Sequence, residues 1–111
     1  MHKKLVLFVF LCAPLVTEAL DNKWISPSNG HWEDASWSLG VRPGANQSIN
    51  ITNGGYKAVQ ISSSTISGYP QTLTISNLYV AAPTNGLSTL LLNYTGLNVP
   101  LRVTDGCAIG A

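Results

Sequence analysis

Two neighbouring carboxylates, Glu33 and Asp34, follow His31 in the part of the chain that holds the tryptophans. A carboxylate pair can serve a glycosidase as acid and base, and carboxylate oxygens are ligands that Ca²⁺ prefers. Neighbouring side chains on an extended chain point to opposite faces, however, so this pair is badly placed to flank one scissile bond. Two charged ligands are also few for calcium. We therefore predict no catalytic residue and no metal site.

A hydroxyl or thiol nucleophile would have to recruit His31 as its base. Ser62 to Ser64 have no base in sequence reach, and no Gly-x-Ser-x-Gly elbow occurs. The sequence also lacks a phosphate-binding loop, a dinucleotide fingerprint and a Cys/His spacing for zinc. We expect a protein that is not an enzyme and has no cofactor. Cys107 is predicted to be buried as a small apolar residue, with pairing to another chain as the alternative.

The three tryptophans, Trp24, Trp32 and Trp37, are the largest apolar side chains available. Exposed indoles could form a stacking platform for sugar rings, as they do in carbohydrate-binding modules. The other interpretation is a cap. The first coil of a β-solenoid has an uncovered apolar face and unpaired strand edges, which bulky side chains can shield. We favour the cap and keep the glycan platform as the alternative.

The elements that position these residues begin after a leader. Lys3 and Lys4 form a positive start, Leu5 to Val16 is an apolar core, and cleavage of a signal peptide, residues 1–19, is predicted after Ala19. The apolar core is shorter than the about 20 residues that a membrane helix needs. We therefore predict a secreted or cell-surface protein with no membrane segment after signal removal.

The remaining chain is poor in charge. Between Lys57 and Arg102 there is no charged residue and no histidine. After residue 19 the bases and acids balance: Lys23, Arg42, Lys57 and Arg102 against Asp21, Glu33, Asp34 and Asp105. Such a chain has no electrostatic footprint for nucleic acid. We predict no nucleic-acid partner.

Short alternations of apolar and small polar residues fill this chain. Two apolar residues with one residue between them are typical of a strand with one buried face. Such pairs recur between turn-forming residues: Ile49/Ile51, Val59/Ile61, Leu73/Ile75, Leu78/Val80, Leu90/Leu92 and Leu101/Val103. No segment sustains helical spacing, so essentially no helix is predicted after the signal peptide.

Taken alternately, these pairs form two series that indicate a coil of about 20 residues, as in a parallel β-solenoid. One series is Ile49, Leu73 and Leu90; the other is Val59, Leu78 and Leu101. Asn77 and Asn93 each follow such a pair, and stacked asparagines can satisfy turn backbone in solenoids. The small antiparallel β-sandwich remains the alternative all-β fold.

These patterns predict an all-β chain that is the start of a parallel β-helix. Residues 20–55 would form an irregular, Trp-rich N-terminal cap that ends in a first strand, Ser48 to Thr52. Residues 56–111 would form the early solenoid coils, because turn-forming residues lie between the apolar pairs.

The order of residues from Trp24 to Gly44 carries a resemblance. Asn29-Gly30-His31-Trp32, a third tryptophan at Trp37 and the following Gly-Val-Arg-Pro-Gly block resemble the opening of long secreted bacterial β-helix proteins of the autotransporter-passenger and adhesin-like kind. Residues 73–78 and 89–93 resemble early coils of such proteins. The resemblance implies an N-terminal piece of a larger bacterial protein, a fragment whose functional surface or anchor would lie further along.

These features predict an exported structural or adhesive β-solenoid fragment without catalytic activity. Its polar Ser/Thr/Asn face would contact glycans or another cell surface. One alternative is the carbohydrate-binding module that uses the tryptophans, and another is the N-terminal part of a β-helix polysaccharide-degrading enzyme. If residue 111 ends the chain, the last coil exposes an unpaired edge with Leu101 and Val103, and we expect self-association.

Overall fold

The computed structural model describes residues 19–94, 96 and 99–110. The predicted signal peptide, apart from Ala19, lies outside these residues. Within them the chain forms nine short strands and one helix. In chain order they are β1 Leu20–Lys23, β2 Gly30–His31, β3 Gln47–Ile51, β4 Tyr56–Ser62, α1 Ser63–Gly68, β5 Leu73–Ile75, β6 Asn77–Val80, β7 Leu87–Asn93, β8 Leu101–Val103 and β9 Cys107–Ile109.

The strands build three sheets, with the orders β1-β3-β6-β9, β2-β4-β7 and β5-β8. Neighbours within a sheet come from successive turns of the chain, which therefore winds as a β-solenoid of about three turns. The prediction of an all-β parallel β-helix is confirmed. The antiparallel sandwich is wrong, because every pairing between the strands of the described residues is parallel.

Each coil is longer than the sequence indicated. Ile49 pairs in register with Leu78 rather than with Leu73. Asn77 and Ser48, which are hydrogen-bonded across neighbouring coils, are 29 residues apart. The predicted series assumed that two strands make a coil. The chain uses three, so Leu73 starts a third sheet and pairs with Leu101.

Four of the six predicted apolar pairs lie in the buried core, and Leu90, Leu101 and Val103 of the other two pack against it half-buried. Alternate residues of β3, β4 and β6 are almost completely buried, because residues i and i+2 of a strand share one face: Ile49, Ile51, Val59, Ile61, Leu78 and Val80. Parallel stacking places these side chains in columns that run through the solenoid. The last coil continues the columns without cover from the described residues, and Leu92 and Ile109 are 51% and 71% exposed.

Cys107 is exposed, so its predicted burial is wrong. It pairs in register with the buried Leu78 and therefore occupies an inward column of the solenoid. The residue type agrees with that position. The exposure arises because β9 is the outermost strand of its sheet within the described residues.

The helix α1 corrects the expectation of no helix. It has six residues, too few to show an apolar period in the sequence. Its start is stabilised by Thr65, whose Oγ1 accepts a hydrogen bond of 3.1 Å from the backbone N–H of Ser62. Thr65 is fully buried. The helix turns the chain between β4 and β5, at a corner of the coil.

Two strands precede the predicted first strand. β1 and β2 pair with β3 and β4, so part of the predicted cap is itself a coil of the solenoid. Asn22 of β1 lies in register with Ile49 and is fully buried. Its Nδ2 donates to the carbonyl oxygen of Val41 at 2.9 Å, and its Oδ1 accepts from the N–H of Leu39 at 3.0 Å. A buried amide with both groups satisfied thus holds the following loop against the coil.

Candidate functional site

The three tryptophans lie together at the first coil. Trp24, Trp32 and Trp37 are 2%, 0% and 2% exposed. Trp37 meets the other two rings edge to face, with centroids 5.1 Å and 5.4 Å away, a favourable arrangement of aromatic quadrupoles. A sugar-stacking platform requires an exposed ring face. The burial of all three indoles argues against that alternative.

Gly30 makes this packing possible. A Cβ atom at this position would lie 2.6 Å from Cη2 of Trp24, closer than two carbon atoms approach without a bond. Gly30 is also the first residue of β2, which brings His31 onto the outer face beside β4. The Asn-Gly-His-Trp segment therefore has a packing role and a positioning role.

Glu33 and Asp34 serve different structural elements. Glu33 Oε1 accepts a hydrogen bond of 2.6 Å from Oγ1 of Thr65, which joins the turn after β2 to α1. Asp34 Oδ2 accepts a hydrogen bond of 2.8 Å from the backbone N–H of His31. Each carboxylate thus has its own partner. In the described part of the chain, no three His, Cys, Asp or Glu side chains lie close enough to hold a metal ion.

A groove of about 340 Å³ lies on the face of the β2-β4-β7 sheet around His31 and Gln60. The parallel register of β2 and β4 places these two residues side by side. Among the described residues that line the groove, Asp34 is the one with a charge. The lining consists of Asn29, Gly30, His31, Asp34, Ala58, Gln60 and Leu91.

Three side chains of this face form a ladder across successive coils. Gln60 Nε2 lies 3.0 Å from Nε2 of His31, and Gln60 Oε1 accepts a hydrogen bond of 3.0 Å from Nδ2 of Asn93. An amide nitrogen can only donate, so Nε2 of His31 is the acceptor. The ladder therefore joins three successive coils through side chains of β2, β4 and β7.

Asn29 completes the polar row at the edge of β2. Its Oδ1 accepts a hydrogen bond of 2.7 Å from the backbone N–H of Ala58. That bond fixes the orientation of the amide within the groove. The groove thus presents amide, imidazole and carboxylate groups whose positions are set by the stacked strands. Such a surface can exchange hydrogen bonds with a polyhydroxylated ligand.

The sequence drew attention to Asn29, His31, Asp34 and Asn93 for other reasons than ligand binding, and it did not single out Gln60. His31 and Gln60 are 29 residues apart, and Gln60 and Asn93 are 33 apart. A correct coil length would have brought them together, since equivalent outward positions of successive coils are neighbours. The expected stack of asparagines takes a different form, because Asn93 bonds to a glutamine.

Asn77 also connects coils, on another sheet. Its Nδ2 donates to Oγ of Ser48 in the preceding coil at 2.9 Å. Its Oδ1 accepts from the backbone N–H of Gly106 in the next coil at 2.9 Å. One amide therefore contributes to the cohesion of three successive coils.

Lys57 of β4 is a buried cation, 4% exposed. Its Nζ donates to the carbonyl oxygen of Asn53 at 2.7 Å and to Oγ of Ser88 at 3.0 Å. These acceptors are uncharged, and burial lowers the pKa of Lys57 below its ordinary value. The contacts join the turn before β4 to the next coil, which is a structural role.

Among the described residues, no helix is both long and apolar enough to cross a membrane. Comparison with known proteins finds no family model, no curated protein and no solved structure that matches this chain.

Proposed function

We propose that this chain is an exported, non-catalytic β-solenoid module that binds neutral glycans through the groove around His31 and Gln60. The observation that supports this is the row of oriented, mostly neutral hydrogen-bonding groups on the β2-β4-β7 face. Sugar hydroxyls both donate and accept hydrogen bonds, so they match a mixed row of amide and imidazole groups. The side chains are already oriented by their neighbours, which reduces the entropy lost on binding.

The role is adhesive or structural rather than catalytic. Glycoside hydrolysis uses two carboxylates on either side of the scissile bond. Here Asp34 holds the backbone of His31, and Glu33 holds α1. A module that binds a glycan without hydrolysing it needs no catalytic carboxylate. Repetition of weak contacts along a stack of coils would supply useful avidity on a glycan-covered surface.

Export is proposed from the N-terminal sequence. Lys3 and Lys4, the apolar core and the small residue Ala19 form the pattern of a cleaved secretory signal. The resemblance to autotransporter passengers and adhesins supports the same placement at a bacterial surface. Sequencing of the N-terminus of protein recovered outside the cell should begin at Leu20. Recovery of the uncleaved chain from the cytosol would contradict export.

Glycan binding is tested by titrating the purified protein with a panel of neutral gluco-, galacto-, manno- and xylo-oligosaccharides, followed by calorimetry. We expect Gln60→Ala to weaken binding of the best oligosaccharide about tenfold, because it removes the centre of the ladder. Asn50→Ala is the matched control, since Asn50 is an amide on the β1-β3-β6-β9 sheet. Binding that both variants retain equally, or no binding at millimolar sugar, would overturn the proposal.

A further inference from the structure

A second cavity lies at a corner of the solenoid, away from the β2-β4-β7 face. It measures about 380 Å³ and is formed by the loop before β3 and the segment that joins α1 to β5. Arg42 and Tyr69 both line it, together with Gln71, Thr72 and Thr74. This volume is within the range of small-molecule sites.

The cation in this cavity is held by an aromatic ring. Cζ of Arg42 lies 3.7 Å from the centroid of the Tyr69 ring. The ring itself is half-buried against the apolar core, and the backbone N–H of Tyr69 caps α1 by donating to the carbonyl oxygen of Thr65 at 2.9 Å. A cation–π contact uses the face of the guanidinium and leaves its N–H edges as donors. Arg42 is therefore oriented and remains able to bind.

The cavity supplies no anion of its own. No Asp or Glu is among the described residues that line it. The nearest acids along the chain are occupied elsewhere, Asp34 by the N–H of His31 and Glu33 by Thr65. An oriented guanidinium without a carboxylate beside it matches an anionic ligand, and its planar fork fits a carboxylate with two parallel hydrogen bonds.

We propose that this cavity binds the carboxylate of an acidic sugar, such as a hexuronic acid. Arg42 takes the carboxylate. The amide of Gln71 and the hydroxyls of Thr72 and Thr74 are groups of the wall that can bond to sugar hydroxyls. A protein carboxylate, from a glutamate side chain, would satisfy Arg42 but would leave these neutral polar groups unused. These neutral polar groups beside Arg42 are therefore the reason to favour a sugar acid, while Pro43, Pro70 and Leu73 make part of the wall apolar.

This inference does not depend on the neutral-glycan groove. The two sites share no residue, and they lie on different parts of the coil. If Gln60→Ala does not weaken the binding of neutral sugars, the proposal for the acidic-sugar cavity still stands. An Arg42 variant that no longer binds acidic sugars should still bind neutral sugars in the groove.

The test is a calorimetric titration of the purified protein with glucuronate, glucose and N-acetylglutamate, with the ring signals of Tyr69 followed by NMR. We expect glucuronate to bind at least tenfold more tightly than glucose, because charge-assisted hydrogen bonds are the stronger kind. Arg42→Gln should remove that preference. Arg42→Lys should keep only part of it, since the lysine retains the charge and loses the planar fork.

Lys23→Gln is the charge-matched control, because Lys23 is an exposed cation on β1 and neither it nor its register partner Asn50 lines the cavity. It should leave glucuronate binding and the Tyr69 signals unchanged. Equal affinities for glucuronate and glucose, or equal losses in the Arg42 and Lys23 variants, would overturn the proposal. Tighter binding of N-acetylglutamate than of glucuronate would overturn it too, and would assign the cavity to a protein carboxylate.

Discussion

The indole Nε1 of Trp37 donates a hydrogen bond of 2.8 Å to the carbonyl oxygen of Trp32. Both rings are buried. By contrast, Nε1 of Trp24 and Nε1 of Trp32 have no hydrogen-bond partner within the described residues. Replacing the Trp37 indole would therefore remove a hydrogen bond, whereas replacing the Trp24 or Trp32 indole would remove none.

We expect Trp37→Phe to lower the free energy of unfolding by about 1–3 kcal/mol more than Trp24→Phe does, because only the first substitution leaves a buried carbonyl without its donor. Both substitutions remove a similar volume. Urea unfolding of the two variants measures the difference. Equal losses would show that the Trp37 hydrogen bond contributes little.

The adjacent glycines Gly54 and Gly55 should respond differently to alanine. Gly55 has a φ of +98°, and a Cβ atom there would lie 2.7 Å from the carbonyl oxygen of Pro27. The positive φ alone costs an alanine about 1–2 kcal/mol. At Gly54 no atom lies within 4 Å of the added Cβ. We expect a clear fall in melting temperature for Gly55→Ala and almost none for Gly54→Ala. Similar melting temperatures would contradict the tight approach at Pro27.

Lys57 should make stability depend on alkaline pH. Its pKa in the folded chain is lowered by burial from the ordinary 10.5. Between the two pKa values the unfolded chain binds more protons than the folded chain, so the free energy of unfolding rises with pH through that window. Below the folded pKa, Lys57 is charged in both states and contributes no slope.

The measurement is urea unfolding of the wild type and of Lys57→Met at several pH values up to 10.5. The difference in unfolding free energy should shift in favour of the wild type as pH rises. Titration of every other group is common to both proteins and cancels. A difference that stays constant with pH would refute a lowered pKa at Lys57.

The last described coil predicts self-association. β7, β8 and β9 each pair on one side only within the described residues, and a cavity of about 420 Å³ opens between them. Leu92 and Ile109 stand at this opening and are largely exposed. Unpaired edges with apolar side chains favour pairing with another chain. We expect the purified protein to be oligomeric at micromolar concentration, and light scattering measures this.

Ile109→Lys should reduce the association, because an edge lysine disfavours strand pairing. Thr52→Lys is the control, since Thr52 is exposed and lies at the end of β3, away from this coil. A wild-type monomer, or equal effects of the two lysines, would count against association through the open coil.

The candidate groove was only partly visible in the sequence. His31 and Asp34 attracted attention by their chemistry, but as parts of a catalytic or metal site. Gln60 carries no local signal, because an outward glutamine in a strand resembles any other solvated residue. Its partners in the ladder lie one coil away in each direction. Tyr69 carries no local signal either, because its contact with Arg42 joins two segments that are distant in the sequence.

The sequence by itself determined the strands. Alternation such as Ile49/Ile51 and Val59/Ile61 is a local property, and each of these pairs lies on a strand of the structure. The tertiary structure alone decided which strands stack. The length of a coil depends on how many residues each corner takes, as α1 shows between β4 and β5, and no pattern within one strand encodes that length. The polar neighbours of both cavities follow from this register, and so does the chemistry proposed for them.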